Sequence, residues 1–188
     1  MARRPTSFEK ALGIRFSDPA LQEVALTHRS FAFEQDVAPT NERLEFLGDA
    51  VLGLVITDLA YRAYPDLSEG ELAKLRAAMV NMTMLAEVAR ELGLGDAVLL
   101  GRGEELSGGR NKASILADTL EAVFGAVYMD LGIRVAQRLI KRLFSPRMRA
   151  YVRGEGTRDY KTLLQELAAG IWGRLPEYRV EERGPEGS

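Results

Sequence analysis

Glu42, Glu45 and Asp49 stand at i, i+3 and i+7 in the run Asn41-Glu-Arg-Leu-Glu-Phe-Leu-Gly-Asp-Ala-Val-Leu-Gly-Leu-Val-Ile56. On an α-helix that spacing puts all three carboxylates on one face. Grouped acids bind divalent cations, exchange protons with water, or decorate a solvated surface, and the surrounding residues decide between these roles. Here the neighbours are apolar (Leu44, Phe46, Leu47, Val51, Leu52, Leu54, Val55, Ile56), while Gly48 and Gly53 leave room for another helix to approach. A helix that is hydrophobic nearly all round belongs inside a domain, so its acids are expected to face a cleft. Two carboxylates about 4 Å apart repel by about 4 kcal/mol at an effective dielectric of 20. A surface i,i+4 ion pair returns only a few tenths of a kcal/mol. The compensating cation is either a basic side chain on an exposed face, such as Arg43, Lys74 or Arg76, or a metal ion.

A second apolar segment, Ser114-Ile-Leu-Ala-Asp-Thr-Leu-Glu-Ala-Val-Phe-Gly-Ala-Val-Tyr128, carries Asp118 and Glu121 at i, i+3. Two buried helices that each present acids on one face can meet around a divalent ion. A donor set made only of oxygen favours Mg²⁺ or Mn²⁺ over zinc. Other chemistries lack parts. The chain has no cysteine, hence no thiolate site, no cysteine nucleophile and no disulfide. The sole histidine, His28, beside an expected helix end, reads as a structural hydrogen-bonder, and no Gly-x-Ser-x-Gly elbow presents a serine. The glycine-rich segment Gly101 to Lys112 lacks the Gly-Lys-Ser/Thr ending of a phosphate-binding loop, so no organic cofactor is expected. It reads equally as a flexible loop that offers Arg110 and Lys112 to RNA phosphates or as a plain connection.

The elements that must position these acids follow from periodicity. Apolar residues recur at helical spacing over most of residues 7–145, which predicts an all-helical domain of six or seven helices. Breaks are expected at Asp18-Pro19, Asp36 to Thr40, Tyr64-Pro65-Asp66, Gly93 to Gly95, Gly101 to Gly109 and Ser145-Pro146. Asn41 is expected as an N-cap, and Ser68-x-x-Glu71 as a capping box opening one helix from Leu72 to Leu92, closed by Gly93. At 188 residues the chain has room for one main domain and a small appendage. Domain boundaries are placed at 1–150, with a linker over 151–157 and an appendage over 158–188. No apolar run approaches a membrane span, and no apolar stretch follows Arg3-Arg4 as in a secretory signal, so a cytoplasmic protein is expected. The net charge of −2 conceals an uneven distribution. Between Lys141 and Lys161 seven basic residues face two acidic ones, which reads either as a phosphate contact or as a solvated linker.

Asn41-Glu-Arg-Leu-Glu-Phe-Leu-Gly-Asp49 resembles the ribonuclease III signature. The similarity continues through Leu26-Thr-His-Arg-Ser30, Ser68-Glu-Gly-Glu-Leu72, Leu75-Arg-Ala77 and Ser114-Ile-Leu-Ala-Asp-Thr-Leu-Glu-Ala122, roughly residues 7–145. Arg158-Asp-Tyr-Lys-Thr-Leu-Leu-Gln-Glu166 and Tyr178-Arg-Val180 resemble the first helix and first strand of an α+β double-stranded-RNA-binding domain, whose remainder is missing from this chain. The resemblance implies an Mg²⁺-dependent endoribonuclease that hydrolyses double-stranded RNA to 5′-phosphate and 3′-hydroxyl ends and processes precursor ribosomal RNA and other structured RNAs. It further implies Glu45, Asp118 and Glu121 as metal ligands, Asp49 as the carboxylate that positions the ion and the attacking water, and Glu42 and Glu69 as outer acids of the cleft. Asp49 and Glu121 are the implied catalytic pair. Phe46 resembles the aromatic that plugs into the partner subunit of a homodimer, a core aromatic being the alternative. Lys161, with Arg110 and Lys112, is an RNA-contact candidate.

Two rival classes share parts of the pattern. All-helical nucleoside-triphosphate pyrophosphohydrolases also pair acids on facing helices but lack the run from Asn41 to Asp49. A non-catalytic RNA-scaffolding protein on the same fold has no need for all six acids. A di-iron bundle requires two Glu-x-x-His motifs, which one histidine cannot supply.

Overall fold

The computed structural model describes residues 5–37 and 39–155. The chain divides into a compact unit over Met1–Arg149 and a second over Ala150–Ser188. The RNA-binding-domain resemblance over 158–188, Lys161 included, lies outside the described residues.

Among the described residues ten α-helices follow one another: α1 (Ser7–Leu12), α2 (Pro19–Leu26), α3 (Arg29–Gln35), α4 (Glu42–Ala63), α5 (Glu69–Val80), α6 (Met82–Glu91), α7 (Leu94–Ala97), α8 (Arg102–Leu106), α9 (Ala113–Leu131) and α10 (Ile133–Val152), with a 3₁₀ turn at Gly109–Asn111. The all-helical expectation holds for the described residues, where the one β feature is an isolated parallel bridge between Thr27 and Leu99. Sequence periodicity undercounts the helices because α7, α8 and the 3₁₀ turn are too short to show a period.

Helix α9 is the axle. Ile115, Leu116, Leu120, Val123, Phe124 and Val127 on it are buried, and α4, α6 and α2 pack around it. Phe124 meets Phe144 of α10 edge to face, with ring centroids 6.3 Å apart. Each such side chain taken fully out of water stabilises the fold by roughly 1.5–3 kcal/mol.

Local signals account for most helix ends. Thr6 and Ser68 each form a capping box with the glutamate three residues on. Asp18 caps α2 ahead of Pro19, and Gly93 takes φ +66° after α6. Three expectations fail. The run from Leu72 to Leu92 is two helices, because Asn81 adopts an extended backbone and its side chain accepts a hydrogen bond from Met84 N at 2.9 Å, restarting the helix. Pro146 does not end a helix but lies inside α10. Its ring is exposed, which leaves it on the outer face of the helix while Phe144 and Met148 keep the buried face packed. Asn41 precedes α4 without a side-chain cap; it is 3% exposed, and its backbone N–H donates to Thr27 O at 2.9 Å.

Candidate metal centre and active site

The acids are brought together by one close helix crossing. A Cβ at Gly48 of α4 would fall inside the Glu121 carbonyl of α9, and a Cβ at Gly125 would fall inside the Leu44 carbonyl of α4. Only glycine at both positions lets the two backbones touch. Gly53, expected to serve the same purpose, has nothing within 4 Å of its would-be Cβ. The crossing sets Glu45, Asp118 and Glu121 so that one carboxylate oxygen of each lies within 4.8 Å of the others. All three side chains are half-buried.

This grouping shows in the proton affinities. Burial pushes the Glu121 carboxyl up to about 8, with Asp49, Asp118 and Glu45 adding to the rise. Glu45 and Asp118 are raised too, in both cases chiefly by burial, although Arg29 pulls each of them down. None of the causes acting on Glu121 is a cation. Asp49 is exposed and is felt electrostatically by Glu45 and Glu121.

Next to the triad opens a cleft of about 500 Å³, lined by residues that include His28, Arg29, Asn41, Glu42, Glu45 and Asp118. Its wall is tied together by backbone bonds: Leu99 N donates to Leu26 O, His28 N to Leu99 O, and Asn41 N to Thr27 O. His28 acts structurally, as its isolation in the sequence suggests. It caps α3, Nδ1 accepting from Ser30 N at 3.2 Å, and burial lowers its pKa. Glu42 is exposed at the rim, where it accepts from Thr40 Oγ1 at 2.9 Å and lies 4.0 Å from Arg29.

The glycine-rich segment, read equally as a flexible loop or a plain connection, is tied to its surroundings by hydrogen bonds. Glu34 of α3 accepts from the backbone N–H groups of Arg102 and Gly103, and Ser30 Oγ from that of Gly101. Arg110 is committed inside the protein: Nη1 donates to the Gly95 and Val98 carbonyls and Nε to Glu105. Lys112 lines the cleft, paired with Glu104 and Ser107. Glu69, exposed at the start of α5, is not among the residues that line the cleft or form the triad. Sequence reasoning missed Asn41 as a buried cleft-wall residue, whose Nδ2 has no hydrogen-bond partner among the described residues. Its position directly before the acidic stripe suggested a cap instead.

The donor set fits a hard divalent cation. Three carboxylates converge from two rigid helices, their mutual repulsion is uncompensated at Glu121, and the donors are all oxygen.

Residues 18–148 match the Ribonuclease-III-like family. Ribonuclease 3 of Thermobifida fusca (strain YX) is 60% identical over 180 residues, which span 95% of this chain and 74% of that protein. The chain belongs to the ribonuclease III family. Ribonuclease 3 of Mycobacterium tuberculosis (strain ATCC 25618 / H37Rv) is 52% identical over 94% of this chain and 74% of its own length. Among solved structures, the nuclease domain of ribonuclease III from Campylobacter jejuni superposes with a TM-score of 0.70 at 43% identity, covering 74% of this chain and 95% of that one. As a ribonuclease III, the chain is an endoribonuclease, and the metal-dependent chemistry of that family has its match in the carboxylate triad.

Proposed function

We propose that this chain hydrolyses double-stranded RNA with Mg²⁺, for which Mn²⁺ can substitute, held by Glu45, Asp118 and Glu121. The observation that carries the reading is the convergence of these three carboxylates from α4 and α9 within 4.8 Å, with Glu121 raised to about 8. When bound, the ion lowers the pKa of its water and steadies charge developing on the phosphodiester. Water adds across the bond from phosphorus to the 3′ oxygen, which leaves a 5′-phosphate and a 3′-hydroxyl. Asp49, next to Glu121 but exposed, orients that water, and Glu42 and Glu69 act as outer acids toward RNA. Arg29 and Lys112 on the cleft wall supply positive charge toward phosphate. Precursor ribosomal RNA and other structured RNAs are the substrates that fit this activity.

Catalysis on both strands calls for two sites, which a homodimer supplies. Phe46 is 82% exposed, with Leu54 at 62% and Tyr61 at 72% farther along α4. The core-aromatic alternative does not describe so exposed a ring. Self-complementary apolar faces favour two-fold pairing, and the Campylobacter jejuni nuclease domain has a region involved in dimer formation. Phe46→Glu is expected to sediment as a monomer; a stable dimer removes Phe46 from the interface. A cytoplasmic location goes with RNA processing of this kind; among the described residues no helix is long and apolar enough to cross a membrane.

The test is cleavage of a long, perfectly paired RNA at low salt with Mg²⁺, comparing this chain with Glu121→Gln and using single-stranded RNA as control. Replacing a group that only hydrogen-bonds to a metal's ligands costs 10–100-fold, so loss of a ligand itself is expected to cost at least about 100-fold. Equal cutting by both proteins would remove Glu121 from the site. Hydrolysis of free nucleoside triphosphates in place of RNA would favour the pyrophosphohydrolase reading.

A further inference from the structure

Helix α10 carries six basic residues, Arg134, Arg138, Lys141, Arg142, Arg147 and Arg149, and no acidic one, in a chain whose acids outnumber its bases, 27 to 25. At 100° per residue, all but Arg147 fall within an arc of roughly 100°. Arg147 points to the other side, where it pairs with Glu91. The stripe from Arg134 to Arg149 is about 22 Å long at 1.5 Å per residue. Arg142 spends one donor on the Leu12 carbonyl. The other four, Arg134, Arg138, Lys141 and Arg149, are exposed and have no hydrogen bond or ion pair among the described residues. Arg138 and Arg142 also wall a depression of about 250 Å³ beside the Gly13 turn, which shares no residue with the acidic cleft.

Like charges are not usually lined up along one face without countercharges, because each i,i+4 repeat of one sign costs a few tenths of a kcal/mol. A polyanion repays that cost. Double-stranded nucleic acid carries about one phosphate charge per 1.7 Å of axis, so 22 Å presents on the order of a dozen. Arginine dominates the stripe, and its planar fork matches phosphate oxygens. Between Arg134 and Arg149 the one other residue within this arc is Ser145, and Val152, beyond the stripe's end, is a single exposed apolar side chain; together they make no apolar wedge for a membrane surface and no aromatic anchor for a protein partner.

We propose that the α10 stripe is a second RNA-backbone contact, separate from the acidic cleft, that holds the helical RNA by its phosphates without reading sequence. This rests on the proposed action on double-stranded RNA. Chemistry occurs at the α4–α9 crossing, and the stripe adds affinity for duplex lying outside the cleft.

The test is binding of a 30-base-pair RNA duplex in EDTA, followed by fluorescence anisotropy at several salt concentrations. The chain is compared with the triple variant Arg134→Gln, Arg138→Gln, Lys141→Gln and, as an off-stripe control on the same helix, Arg147→Gln, each checked for its helical circular-dichroism signal. Expected is an affinity about 10-fold lower for the triple variant at low salt. Its slope of log affinity against log salt should be shallower by about 2 to 3, with Arg147→Gln close to the parent. Equal affinity and slope in parent and triple variant overturn the proposal, as does a parent that fails to bind duplex at low salt. A triple variant that keeps its RNA binding but loses binding to vesicles containing anionic phospholipid overturns it in favour of a membrane surface. Because binding is read without metal, a parent that binds through the stripe yet cuts nothing upholds the contact and removes the proposed activity.

Discussion

The acidic crossing of α4 and α9 and the basic face of α10 both gather charge of one sign, and they differ in solvation. At the crossing Glu45, Asp118 and Glu121 are half-buried, and burial raises all three proton affinities, joined at Glu45 and Glu121 by repulsion from the neighbouring acids. Along α10 the unpaired cations are exposed, and water and salt screen them from one another. Buried like charges act as one unit whose state depends on pH and on a cation. Solvated like charges act nearly independently, and their effect is spread over several residues. The crossing therefore breaks at a single atom, whereas the stripe can only be worn down.

Gly48→Ala is the sharpest way to break the crossing. The new Cβ would overlap the Glu121 carbonyl, which is backbone and has no alternative rotamer to take. Overpacking of this kind costs about 1–3 kcal/mol or more, and any relief separates Glu121 from Glu45. Thermal unfolding should drop by several degrees and RNA cleavage should be lost. Gly53→Ala on the same helix is the contrast: with open space around its Cβ it should stabilise by about 0.5–1 kcal/mol through helix propensity. Equal melting temperatures for parent and Gly48→Ala would show that the close approach does not constrain the site.

A pH series sharpens the same comparison. Glu121 rises from an ordinary value of 4.5 to about 8 in the folded chain. Between those values the folded carboxyl keeps a proton that the unfolded chain has released. The metal-free protein is then at its full stability below about 4.5 with respect to this group, and loses that contribution as pH climbs through about 8. Glu45 and Asp118, also raised, act with the same sign. His28, lowered by burial from 6.5, acts with the opposite sign and confines its effect to the acid side. From about pH 6.5 to 8 the melting temperature in EDTA should fall, Glu121→Gln should flatten the fall, and Mg²⁺ should raise stability most at the alkaline end as the carboxyls give up protons to bind it. A level profile in the parent chain across that window would contradict the electrostatic account of the triad.

The same contrast explains what could be read from the residues. The acid spacing in α4 and α9 was legible because helical geometry converts i, i+3 and i+4 directly into a shared face, and the glycine at position 48 announced a close neighbour. The equivalent reading of Gly53 failed, since a glycine in sequence does not say which side of the helix is covered. Asn41 and Asn81 failed in opposite directions for one reason. Asparagine caps a helix where the backbone is extended, as at Asn81, whereas Asn41, whose N–H is tied to the Thr27 carbonyl, has helical geometry instead. Pro146 misled because a proline on the exposed face of a well-packed helix need not end it, and which face it takes is a property of packing. Arg110 was legible as a cation but not as a staple, because its acceptors are backbone carbonyls fifteen and twelve residues away in sequence.

The smallest effects separate the two regions most cleanly. Arg134→Gln, Arg138→Gln and Lys141→Gln, made singly, touch exposed side chains with no partners among the described residues, so each should shift stability by no more than about 0.5 kcal/mol. Each should also reduce the salt slope of duplex binding by about 1, the share of one phosphate contact, and the three reductions should sum to that of the triple variant. Additivity is the signature of solvated, independent charges. One substitution that alone removed the whole salt dependence would mean that the stripe, like the crossing, is built around a single coupled site.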